Sequence, residues 1–272
     1  LHHHYDQEGN LYPESIDYID TLIQNWLDNF HNPAVGIDNE FPWHDHATAL
    51  RLDGVIKYYL ALEKNDQLTA AHKNKIEIFV NLHCEKLSQD TFYSKFTNHG
   101  FDQAISLFHA ASIFNYKTYQ DIALTRFIDE LQFAFTDEGV HVENSPGYHR
   151  GMIVNVLRSL EIIDHHSTLS NITFNLKEFL DNSVLFLIYM MRYDYLLSYI
   201  GDTAKYRINI NLDQHHDLKY YNIFKKLANR HNLDEKESLP LIKLYEKSGY
   251  FIYRSDWSDI KNATHIILKC GH

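Results

Sequence analysis

The sequence predicts a mainly α chain of helical hairpins that closes in a short β segment. Three observations carry that reading. Apolar residues recur at three- and four-residue steps up to about position 235, the connections between periodic segments are short, and after Pro240 the pattern turns to alternation rich in aromatic and β-branched residues. Short connections make neighbouring helices antiparallel hairpins. Such hairpins build a bundle, a solenoid or a closed α/α toroid, and periodicity does not choose among them; the lack of a fixed-period repeat weighs against a simple solenoid.

The first helix is expected over 14–30, where "ESIDYIDTLIQNWLDNF" puts Ile16, Ile19, Ile23, Trp26, Leu27 and Phe30 on one face, just after Pro13 at the helix start. The same rule predicts helices near 46–63, 68–88, 101–115, 117–135, 149–164, 174–192 and 216–231. "SGYFIYRS" at 248–255 and "THIILK" at 264–269 read as strands. Two strands do not stand alone, so the expectation is a helical domain over 1–244 and, over 245–272, the beginning of a β-rich domain that the chain does not complete.

At 272 residues with 44% hydrophobic content, the chain is long enough to bury a sizeable core. A net charge of −11 argues against a nucleic-acid or membrane-surface binder, and an anionic ligand would need a local cationic patch. No run of eighteen apolar residues occurs, so no membrane-spanning helix is expected. Cys84 and Cys270 show neither disulfide nor metal-site spacing. The opening "LHHHY" lacks signal-peptide features and His2, His3 and His4 carry no weight; the expected location is periplasmic or secreted, with a signal already removed.

Three polar clusters interrupt the apolar pattern. In "FPWHDHATALRLDG", 41–54, His44 and His46 are poorly spaced for a metal on a helix, and the preferred reading makes Asp45 the helix cap with Trp43, His46 and Arg51 facing a cleft. In "FTNHGFDQAISLF", 96–108, Asn98, His99 and Gly100 sit at or before a helix N-terminus, where amide N–H groups favour an anion; an ordinary cap at Asn98 explains the segment equally well. In "TDEGVHVENSPGYHRG", 136–151, a turn, a brief extended piece and a second turn lead into a helix capped by Ser145. A cap needs one residue, whereas this stretch also carries Glu143, Asn144, Tyr148, His149 and Arg150.

In this order the clusters resemble the heparinase II/III-like polysaccharide lyases and related alginate lyases. The resemblance rests on "WHDHATALR" at 43–51, "NHG" at 98–100, "DEGVHVENSPGYH" at 137–149, "IGD" at 200–202 and "YFIYRSDW" at 250–257. It implies an incomplete α/α toroid followed by an antiparallel β-sandwich, and β-elimination on a uronic-acid-containing glycan. It assigns Asn98 and His99 to neutralising the uronate carboxylate, with His99 a base in some relatives, and Tyr148 to acid/base duty. A free phenol titrates near ~10, so phenolate needs nearby positive charge, for which Arg150 and the histidines are the candidates. Trp43, His46, Arg51, Glu143, His149 and Arg150 are expected to contact substrate. No cofactor is identified; the resemblance implies that any structural divalent metal, and a further catalytic His or Tyr of which His272 would be the first, belongs to the C-terminal β-domain. The acidic balance favours a less densely charged uronan than heparin. The alternatives are a glycoside hydrolase using two carboxylates among Asp137, Glu138 and Glu143, and a non-catalytic protein that binds acidic glycans.

Overall fold

The computed structural model describes residues 10–32, 41–165, 176–237 and 239–270; the histidines at 2–4 and His272 lie outside them. The described residues fall into two compact units, Leu1–Glu130 and Leu131–His272, the division lying within one helix. The strand-led boundary expected at 244 therefore falls inside the second unit.

In the first unit α1 spans Pro13–Phe30, with Pro13 at its first helical position, followed by α2 (Asp45–Lys64), α3 (Ala70–Ser88) and α4 (Asn98–Ile113). α1 buries Ile23 and Trp26 from the expected stripe and stays exposed opposite, as a one-faced surface helix does. α4 is different. It is buried nearly all round, from Gly100 to Ser112, because α2 and α3 both pack on it. It starts three residues earlier than periodicity predicts, since polar Asn98 and His99 belong to its first turn. Gly100 is required there: a Cβ would lie 2.2 Å from the Ser94 carbonyl oxygen and 2.8 Å from Glu130 Oε1.

The helix α5 (Lys117–Ala134) leads into the second unit, which holds α6 (Pro146–His165), α7 (Leu176–Tyr189) and α8 (Tyr221–Ala228). α7 and α8 are shorter than their periodic segments. After Tyr189 the chain turns back on itself, Met191 bridging Leu197, instead of completing another helical turn. The expected extended piece at 140–144 reduces to one bridge, Phe135 to His141.

The sheet has three strands where two were expected, β1 (Ile242–Tyr245), β2 (Tyr250–Arg254) and β3 (His265–Lys269), antiparallel in that order. β1 is only four residues long and follows closely on Pro240, which hides it from a pattern search. Tyr250, Ile252 and Arg254 face the helices; Phe186 meets both Tyr245 and Tyr250 at 5.3 Å between ring centres, and Tyr189 donates a 2.8 Å hydrogen bond to the Pro240 carbonyl. The opposite face is apolar in two cross-strand rows, Ile242–Tyr253–Ile266 and Leu244–Phe251–Leu268. Among the described residues no helix is long and apolar enough to cross a membrane.

Four histidines are held neutral by the fold. Burial, with help from nearby charge, lowers His83 and His149 from 6.5 to about 3 and His141 and His265 to about 4. The unfolded chain therefore binds more protons than the folded one between roughly pH 6.5 and those values, so the stabilisation is complete above 6.5 and drains as pH falls towards 3–4. Each fully buried imidazole contributes a slope of up to about 1.4 kcal/mol per pH unit. Urea unfolding should show a lower midpoint at pH 5 than at pH 7, and equal midpoints would refute this account of the buried imidazoles.

Candidate active site

The sequence-predicted residues gather in two clusters, one in each unit. In the first unit the N-terminus of α2 meets that of α4. The cap of α4 is Thr97, whose hydroxyl accepts from Gly100 N at 3.0 Å, and not Asn98 as the sequence suggested. Asn98 occupies the first helical position and is exposed; its Oδ1 accepts from His99 N, which leaves the Nδ2 donors for another partner. The loop before α4 is fastened by buried Glu130, which accepts from Phe96 N at 2.9 Å and from the Tyr93 hydroxyl.

Asp45 is likewise not the cap that the sequence suggested; that position belongs to His44, and Asp45 is the first residue of α2. Its carboxylate accepts from the Ser94 hydroxyl, from His46 N at 2.6 Å and from His99 Nδ1 at 3.1 Å. Burial pushes this carboxyl up, but those hydrogen bonds outweigh it and lower the group to about 2. Asp45 accepts from His99 Nδ1, so the tautomer of the ring that keeps this bond carries its proton on Nδ1 and turns Nε2 outward as the acceptor. His46 stacks on His99 with ring centres 4.2 Å apart, and its Nε2 bonds Asp102 at 2.8 Å. Burial raises the Asp102 carboxyl against the opposing pull of His46.

Two expected substrate contacts in this unit are spent on structure. Trp43 Nε1 donates to Phe30 O at 3.0 Å and its ring packs edge-on against Trp26. Arg51 lies over Trp26 at 5.0 Å, donates to Pro42 O and to His83 Nε2, and burial lowers it to about 10. Such a guanidinium closes the α1–α3 contact instead of opening on a cleft.

In the second unit Tyr148 stands 46% exposed in the first turn of α6 while its neighbours are locked. Ser145 Oγ and Gly147 N both bond Thr203 Oγ1, at 3.1 Å each, and Gly147 is tight against the Tyr206 ring, where a Cβ would come within 3.0 Å. His149 is fully buried: Nε2 donates to Ser183 O at 2.9 Å and Nδ1 accepts from His141 N at 3.2 Å. It supports the helix and does not face solvent, which corrects its expected role as a substrate contact. Arg150, two positions from Tyr148 and so on another side of the helix, donates to Asn209 O at 2.7 Å and is coupled to Tyr206, so it is not the cation beside Tyr148. Glu143 is exposed in the turn before the helix.

Two of the three carboxylates of the hydrolase alternative are already engaged: Asp137 pairs with Lys247, and Glu138 accepts from both the amide and the hydroxyl of Ser248. Among the described residues no group of three or more His, Cys, Asp or Glu is arranged to hold a metal.

The sequence matches the family described as Heparinase II/III N-terminus over residues 12–229. The chain belongs to the heparinase II/III N-terminus family. No curated protein matches it. Among solved structures it is similar to the heparan sulfate lyase HepC from Pedobacter heparinus, at 19% identity and a TM-score of 0.70 over 94% of this chain. It is also similar to a heparinase III, at 17% identity and 0.73 over 95%, and to the heparinase III BT4657 gene product, at 19% and 0.69 over 93%. The chain spans 41% of each of the first two and 42% of the third. At such identities the likeness establishes the fold: the mainly α class of helical hairpins followed by a short antiparallel sheet stands as the sequence predicted.

Within this heparinase II/III N-terminal chain, sequence reasoning missed Asp102, Ser94, Glu130 and Thr203. Asp102 lies in the same segment as "NHG", but nothing local ties it to His46, 56 residues away. Replacing Asp45 with Asn should release the tautomer of His99, read by nitrogen-15 NMR of the imidazole as loss of a dominant Nδ1–H form; an unchanged spectrum would show that Asp45 does not set it.

Proposed function

We propose that this chain is the helical part of a polysaccharide lyase that cleaves a uronic-acid-containing glycan by β-elimination. The observation that carries the reading is Tyr148, a solvent-reachable phenol on a rigidly fastened helix start, in a chain of the heparinase II/III N-terminus family. The relatives named heparan sulfate lyase and heparinase III support the substrate class.

Elimination breaks the C5–H and C4–O4 bonds and forms a C4–C5 double bond; the C5 proton goes to a base and the departing O4 takes one from an acid. The C5 proton is weakly acidic until the adjacent carboxylate's charge is damped. Asn98 suits that role because its Nδ2 donors, at the positive end of α4, bind an oxyanion without offering a base. His99, oriented by Asp45 with its Nε2 lone pair free to accept, serves as a further neutraliser or as base. Tyr148 is the acid that delivers the proton to O4. His46 and Glu143 are the remaining polar groups assigned to substrate; His149 and Arg150 hold the helix that presents Tyr148. The acidic balance of the chain favours a sparsely sulfated uronan.

Full-length protein containing this chain should release unsaturated uronate, seen by its ultraviolet absorbance, from one of a panel of acidic polysaccharides. Tyr148→Phe should lower kcat by roughly 10²–10⁴-fold with an unchanged unfolding curve. Wild-type turnover in that variant would remove Tyr148 from the mechanism.

A further inference from the structure

The second unit contains a cavity of about 410 Å³ that none of the residues assigned above enters, lined by Arg192, Ser198, Tyr199 and Ile200 on one side and by Ala263, His265 and Ile267 on the other. We propose that this cavity is a subsite for one anionic sugar ring, carboxylated or sulfated, of the polymer on which the lyase reading rests.

The lining has the three properties that such a ring demands. First, it offers a flat apolar face. The chain reverses over residues 190–198, Arg192 N donating to Leu196 O at 2.8 Å and Ser198 N to Met190 O at 2.8 Å, and this hairpin sets Tyr199 against the Arg192 guanidinium, 4.3 Å from its ring centre. Tyr193 flanks the same guanidinium at 5.6 Å. Both tyrosines are more than half exposed, at 55% for Tyr193 and 52% for Tyr199, so ring surface is left on which a sugar can stack.

Second, it holds acceptors for sugar hydroxyls. His265 Nε2 donates to Tyr189 O at 3.0 Å, and burial with the neighbouring Arg254 charge keeps the ring neutral, so Nδ1 is left as an acceptor. Ser198 Oγ donates to Met190 O at 2.8 Å and retains its lone pairs.

Third, it is locally cationic in an acidic chain. Arg192 is partly offset by Asp194 at 3.1 Å. Arg254, opposite His265 across β2 and β3, is fully buried, donates to the Met191 carbonyl and lies over the Trp257 ring at 4.6 Å; among the described residues its Nε and Nη1 have no hydrogen-bond partner and no carboxylate pairs with it. A buried guanidinium without a counter-charge is costly, and an anion held in the cavity beyond His265 lowers that cost.

The cavity is also tethered to the candidate site. Thr203, which fastens the start of α6 beneath Tyr148, lies four residues after Tyr199, so their Cα atoms are at most about 14 Å apart. The start of the helix that carries Tyr148 is thus within reach of a polymer a few sugar rings long that occupies this cavity.

The test is equilibrium binding by calorimetry of tetrasaccharides of alginate, unsulfated heparosan and heparin, each with its carboxyl-reduced form, to the full-length protein in a Tyr148→Phe background that suppresses turnover. Tyr199→Ala should weaken every probe that binds by roughly tenfold, the order of one aromatic contact. Arg192→Gln should weaken the acidic probes by a similar factor and leave carboxyl-reduced, unsulfated probes alone, while Arg192→Lys should recover part of the loss. Loss on heparin but not on heparosan would assign the anion to sulfate; loss on both that carboxyl reduction removes would assign it to carboxylate. Affinities unchanged in both variants, or no binding of any probe, would overturn the subsite. That outcome is separable from failure of the lyase reading, which shows as absence of unsaturated product from the wild-type protein.

Discussion

The hydrogen bonds of Thr203 to Ser145 and Gly147 decide what the second unit presents to solvent. A helix start leaves amide N–H groups without partners, and unless a neighbouring segment fixes the incoming chain, the first-turn side chains sample many directions. Here one hydroxyl gathers the cap residue and the next amide but one, while His149 closes the inner side through Ser183 and His141. Tyr148 is what remains, a large polar side chain held outward on a backbone fastened by these bonds. Because Thr203 sits on the segment that also carries Tyr199, the fastening of the helix and the lining of the neighbouring cavity are parts of one local structure.

The first unit solves the same problem with charge. Asp45 gathers Ser94, His46 and His99 around one carboxylate, and Asp102 takes the second imidazole. Acceptors fixed in this way do more than stabilise: they choose which ring nitrogen is protonated, and so which can act on a ligand. Gly100 completes the arrangement sterically, since any side chain there would strike the Ser94 carbonyl and pull apart the loop that supplies Ser94 to Asp45.

Helical periodicity was enough to locate the first-unit helices and α6, because burial on one face leaves a regular imprint. It overshot at α7 and α8, where the apolar pattern continues into the turns at 190–198 and 216–220 that bury Met191, Leu197 and Leu218 without helical geometry. The polar clusters were legible as clusters, since several chemistries crowded into a turn exceed what capping needs. Their division of labour was not. Trp43, Arg51 and His149 share the composition of site residues, yet their partners are Trp26, His83 and Ser183, set by packing across long sequence separations. Asp102 and Thr203 carry no motif at all and acquire meaning only from what the fold brings to them.

Elimination and hydrolysis differ in the path of solvent oxygen, which tests the proposed chemistry most directly. Full-length protein digesting its polysaccharide in oxygen-18 water should give products that carry a C4–C5 double bond and no label, because O4 leaves with a proton and water adds to neither fragment. Label at the new chain end of a saturated product would show hydrolysis and contradict the roles given to Asn98, His99 and Tyr148.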